Sequence, residues 1–169
     1  VLFRSKCAVF EYDRKVKNWL SLHPMVEQNF SVDPKIYKPI PNYNYKQVID
    51  IDLSLISPLV AKPFRPDNVV PPTELNTIEI DEAFLGSCTN GRIEDLRIAA
   101  KVLKDKSVDP DVRFIIIPAS KEIYLQALDE GLISIFINAG AVVEYPSCGP
   151  CIGGHLGVLG PNEVCISSS

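Results

Sequence analysis

The chain has 169 residues, 46% of them hydrophobic and 22% charged, with a net charge of −4, which is enough length for one good core and an ordinary globular composition. The acidic balance excludes a basic nucleic-acid-binding stripe, and no apolar run approaches the roughly 20 residues needed to span a bilayer. A cytoplasmic protein with neither nucleic-acid nor membrane partners is expected, and in that compartment five cysteines point to thiol or metal chemistry rather than to disulfides.

The chain starts without a methionine and closes on Cys165-Ile166-Ser167-Ser168-Ser169, so a piece of a longer polypeptide is expected. All nine glycines lie at or after Gly86, whereas nine of the fourteen prolines fall between Pro24 and Pro72. The two halves therefore obey different rules. Residues 1–45 are read as a peripheral helix and a Pro-rich linker from a preceding domain. Residues 46–169 are read as an α/β domain truncated at its C-terminus.

Asp13 suits the N-cap of a short helix, with Val16, Trp19 and Leu20 on one face. A Pro- and Tyr-rich passage, 24–45, follows as linker. Gln47-Val48-Ile49-Asp50-Ile51 has strand character, and 58–72 reads as extended and turn-rich. Ala83-Phe84-Leu85 is predicted as a buried strand ending at Gly86. A helix is predicted over 91–104, with Ile93, Leu96, Ala100 and Leu103 as its apolar stripe. Phe114-Ile115-Ile116-Ile117 is a continuous apolar run suited to a central parallel strand. Ser120 can cap the next helix, and Gly131 stands where that helix needs a left-handed residue. A short helix over 133–138 and a strand over 141–145 complete the order. This alternation predicts an α/β, three-layer αβα domain with a mostly parallel sheet and right-handed crossovers.

In such sheets binding groups collect beyond the carboxyl ends of the strands, and two cysteine motifs fall there. Gly86-Ser87-Cys88-Thr89-Asn90-Gly91 joins the Ala83 strand to its helix. Pro146-Ser147-Cys148-Gly149-Pro150-Cys151-Ile152-Gly153-Gly154-His155 follows the last strand. Three thiols with no obvious fourth suggest a metal centre with one open position. Thiolate is a soft ligand suited to zinc, copper(I) or iron–sulfur clusters, and spacing alone does not choose among them. A structural zinc site using the three cysteines and His155 is chemically reasonable. A thioredoxin-like redox site fits Cys148-Gly149-Pro150-Cys151 poorly, because glycines rather than a long helix follow it.

Ser87-Cys88-Thr89-Asn90 together with Cys148-Gly149-Pro150-Cys151-Ile152-Gly153 resembles the aconitase family. Pro66-Asp67-Asn68-Val69 and Gly91-Arg92-Ile93-Glu94-Asp95-Leu96 extend the likeness, which runs from about Ile51 to Ser169. The resemblance implies the aconitase iron–sulfur domain, and a [4Fe-4S] cluster, one per subunit and oxygen-labile, held by Cys88, Cys148 and Cys151. It further implies a hydro-lyase that moves a hydroxyl between adjacent carbons of a hydroxy di- or tricarboxylate. The base in this family is a serine on a swivelling domain or small subunit, so such a partner is expected, and Ser167 to Ser169 are not given that role. No catalytic residue is therefore assigned to the chain, which by itself is expected to be inactive. Asn90, Thr89 and His155 are taken as neighbours of the cluster rather than ligands, Thr89 and Asn90 also being suited to cap the following helix. Cys7 and Cys165 are read as small buried hydrophobes.

Overall fold

The computed structural model describes residues 11–21 and 43–169; Cys7 and most of the expected linker at 24–45 lie outside the described residues. The chain divides into two compact units, Val1–Asn76 and Thr77–Ser169. The first contains helix α1 (Arg14–Ser21), where the Val16 amide donates to the Asp13 carboxylate at 2.8 Å. Asp13 thus satisfies one of the amides that a helix start leaves without an intrahelical partner. The strand expected at Gln47–Ile51 is not formed. That segment is irregular, and Val48, Ile49 and Ile51 are exposed, because no strand among the described residues pairs with it to give its alternating residues a face to bury. A two-residue antiparallel pair, β1 (Val60–Ala61) with β2 (Val69–Val70), forms instead in the stretch expected to be extended. Asn68 shapes the turn between them by donating its side-chain amide to the Pro63 carbonyl at 3.0 Å.

The second unit is built on a sheet of four parallel strands in the order β5 (Val142–Val143), β4 (Arg113–Ile117), β3 (Glu82–Gly86), β6 (Cys165–Ser167). Strand β3 (Glu82–Gly86) passes directly into a one-turn helix, α2 (Ser87–Asn90), and then into α3 (Ile93–Leu103). Strand β4 (Arg113–Ile117), helices α4 (Lys121–Asp129) and α5 (Leu132–Asn138) and strand β5 (Val142–Val143) follow, with β6 (Cys165–Ser167) last. The expected order of elements is present, with Ser120 accepting from the Ile123 amide at 3.3 Å and Gly131 in the left-handed region at φ +74°. Helix α3 starts later than expected. Its first turn is closed by the Asp95 carboxylate, which accepts from the Arg92 amide at 3.0 Å, and Thr89 and Asn90 belong to α2 and do not cap it.

Alternation along β3 and β4 divides the core. Ile116 and the partly buried Leu85 and Phe114 face a cluster formed by Ile93, Leu96 and Ala100 of α3, Ala127 of α4 and Leu132, Ile133 and Phe136 of α5. All three helices therefore cover one face. Phe84, Ile115 and Ile117 point to the other, with Cys165 beside them. Segment 149–159 lies against this second face: Pro150, Gly157 and Leu159, with Glu82, Phe84 and Cys165, line a cavity of about 320 Å³ there. The described residues thus supply the parallel sheet and its helices, flanked on the far side by the loop that carries the second cysteine motif.

Candidate metal centre

Both cysteine motifs begin where a strand ends. Gly86 closes β3 at φ +129°, and a Cβ there would lie 2.0 Å from the Ile117 carbonyl oxygen, so only glycine allows β3 to run flush with β4 at this point. Ser87 then takes a left-handed backbone, φ +58°, with its side chain buried. This conformation is uncommon for a residue with a Cβ, and it turns the chain so that Cys88, Thr89 and Asn90 stand exposed on α2. Cys88 and the motif's polar groups consequently occupy a helical turn rather than an open loop.

The second motif crosses the sheet from β5. Cys148 precedes a 3₁₀ turn over Gly149–Ile152, and Gly149 is buried at φ +50°. A Cβ on Gly149 would meet the Ile117 side chain at 2.3 Å, so the missing side chain lets the turn settle on the end of β4. Gly153 closes the turn in the left-handed region and donates to the Pro150 carbonyl at 2.8 Å. Cys148 and Cys151 remain exposed. His155 follows at φ +62°, also exposed, with no hydrogen-bond partner for its ring among the described residues.

The segment after β6 joins the two motifs. Its backbone continues beside β3, the Ser168 amide donating to the Phe84 carbonyl at 3.0 Å and the Gly86 amide to Ser168 Oγ at 3.2 Å. The Asn90 side-chain amide donates to the Ser168 carbonyl. Ser169 Oγ lies 3.3 Å from Cys151 Sγ, 2.7 Å from Ser87 Oγ and 2.9 Å from Thr89 Oγ1. One hydroxyl therefore touches both cysteine-bearing turns. Ser87 and Ser169 were not singled out from the sequence as site residues. The available signal was a serine directly before Cys88 and a serine run after a strand end, at the sheet edge where the other groups gather.

The donor set suits the iron–sulfur group that the resemblance implies: three exposed soft thiols and glycine-bearing turns that leave room for close approach. Among the described residues no three His, Cys, Asp or Glu side chains are already gathered as a metal site. Cys165 stands apart. It pairs with Glu82 at the amino end of β3, whereas Cys88 follows the carboxyl end. Burial, with the Glu82 carboxylate beside it, pushes the Cys165 thiol up to about 11.

That amino end holds a charge cluster. Arg113 donates to both oxygens of Glu163 at 2.8 and 2.6 Å and reaches Oε2 of the buried Glu82 at 3.4 Å. The paired guanidinium, helped by the Gly160 amide, holds the Glu163 carboxyl down at about 2. Oε1 of Glu82 has no hydrogen-bond partner among the described residues.

Residues 70–169 match the aconitase family (aconitate hydratase). The chain is 54% identical over 144 residues to the 3-isopropylmalate dehydratase large subunit of Hydrogenobaculum sp., a match covering 85% of this chain and 34% of that protein. It is 48% identical over 165 residues to the protein of the same name from Picrophilus torridus, covering 98% and 38%. A third, from Aquifex aeolicus, is 57% identical over 140 residues, covering 80% and 32%. The chain thus spans about a third of the length of the curated relatives it matches. No helix among the described residues is long and apolar enough to cross a membrane.

Proposed function

The chain belongs to the aconitase family, and from that premise we propose that it is part of the large subunit of a hydro-lyase that interconverts 2- and 3-isopropylmalate in leucine biosynthesis. The relatives' names support the substrate. The observation that carries the site is the single Ser169 hydroxyl shared by the Cys151 turn and the turn that bears Cys88. Cys88, Cys148 and Cys151 hold one oxygen-labile [4Fe-4S] cluster. When bound, the cluster supplies a Lewis-acidic iron that polarises the C–O bond of a hydroxy acid.

The chain's own residues hold and shape that site. Gly86 and Gly149 allow the two turns to approach β4. Asn90 and Thr89 tie the segment after β6 to the first motif, and His155 stands at the solvent side of the second. The base that removes the substrate's proton is a serine of a small, swivelling partner subunit, and the pair works in the cytoplasm. Residues 1–45 belong with a preceding domain, and residues 46–169 with the cluster-binding domain.

The test is anaerobic reconstitution of the full-length subunit with iron and sulfide, followed by assay with its small subunit. Acid-labile sulfide should be incorporated and isopropylmalate dehydrated. Cys88→Ser, Cys148→Ser and Cys151→Ser should each abolish stable cluster binding, while Cys165→Ser should not. Stoichiometric zinc without sulfide would replace the proposal with a zinc-binding module. Turnover of homoaconitate or a citramalate-type acid in place of isopropylmalate would reassign the substrate alone.

A further inference from the structure

We propose that Ser169, backed by Ser87 and Thr89, is a positioning residue for Cys151, donating a hydrogen bond to its sulfur and so setting the stability and potential of the group that sulfur holds. The inference rests on the iron–sulfur assignment above and adds to it a device outside the three cysteines. Its basis is the direction in which the hydroxyl protons must point. Ser169 Oγ has three partners, Cys151 Sγ at 3.3 Å, Ser87 Oγ at 2.7 Å and Thr89 Oγ1 at 2.9 Å, but a hydroxyl carries one proton and two acceptor lone pairs. Once that proton is given to the sulfur, Ser169 can only accept from the other two. Ser87 and Thr89 then donate to Ser169, and all three O–H dipoles run toward Cys151. Such a chain polarises its members and strengthens the last bond, most of all when the acceptor is a thiolate.

The surroundings fix this arrangement. Ser87 is buried and held in a left-handed backbone, a conformation uncommon in a non-glycine residue that persists only where the neighbourhood enforces it. Its hydroxyl lies 2.7 Å from Ser169 Oγ and 3.3 Å from Thr89 Oγ1, and the shorter contact is the one to Ser169. The Ser168 backbone is fastened to β3 through the Phe84 carbonyl, and Asn90 holds its carbonyl, so Ser169 is delivered by the sheet edge. Hydrogen bonds to cluster sulfurs stabilise the more negative, reduced form and raise the potential.

The experiment uses the full-length subunit, reconstituted anaerobically with iron and sulfide, as parent, Ser169→Ala and Ser169→Thr. Ser169→Ala should load the same iron and sulfide, lose iron to a chelator about fivefold faster, as expected for one hydrogen bond, and show a midpoint potential shifted in the negative direction. Ser169→Thr, which keeps the hydroxyl, should restore both. Failure of Ser169→Ala to load while Ser169→Thr loads would support the same role more strongly. Equal chelation rates and equal potentials in parent and Ser169→Ala would overturn it while leaving the cluster assignment standing. Faster loss in Ser169→Ala with no change in potential, or without rescue by Ser169→Thr, would reduce Ser169 to a packing contact and overturn it too. A parent that takes up no sulfide would sink the cluster assignment itself, and the positioning role with it.

Discussion

Gly86 shows how little freedom a single position in this site has. Any side chain there meets the Ile117 backbone oxygen at 2.0 Å and must also adopt φ +129°, so backbone rather than a flexible side chain has to yield. Gly86→Ala should destabilise the subunit by about 3 kcal/mol or more, read as a fall in the urea midpoint. Cysteine reactivity separates the thiols at the same scale. Cys88, Cys148 and Cys151 are exposed, whereas Cys165 is half-buried and its thiol is pushed up to about 11. In metal-free subunit near neutral pH, iodoacetamide should modify the three exposed cysteines well before Cys165, as followed by peptide mass spectrometry. Equal rates at all four would contradict the placement of Cys165 against Glu82.

The helices on the first face behave as their apolar stripes require. Phe136 of α5 is wholly enclosed among residues of three helices and β4, so Phe136→Ala should cost about 3–5 kcal/mol through lost transfer energy and an unfilled cavity. Ile98, on the outer side of α3, is exposed, and Ile98→Ala should change the unfolding free energy by no more than about 0.5 kcal/mol. Elements without such a stripe were harder to foresee. Strand β6 is three residues, Cys165–Ser167, with no period of its own, and it exists because β3 offers an unpaired edge in the register Glu82↔Cys165 to Phe84↔Ser167. Gln47–Ile51 has the composition of a strand and forms none, since a strand is completed by its partner.

Across the molecule, the amino and carboxyl ends of the sheet carry different chemistry. The amino end is closed by Arg113 between Glu163 and Glu82. Because the folded Glu163 carboxyl is held at about 2, below its ordinary 4.5, its contribution to stability is present above 4.5 and is lost as pH falls from there through 2. Glu163→Gln should flatten that part of the stability-against-pH curve, measured by thermal unfolding at each pH. An unchanged slope would mean that the ion pair does not persist in solution. The carboxyl end gathers Cys88, the Cys148–Cys151 turn and Ser169. The sequence by itself determined the alternation of strands and helices and the thiol motifs at strand ends, because apolar periodicity, caps and glycines are local signals carried by near neighbours. Only the tertiary structure decided that β6 pairs beside β3, that Ser169 reaches both turns, and that Glu82 is enclosed beside Cys165. Each of these depends on which distant segments the sheet places side by side, and no short-range pattern in the chain encodes that adjacency.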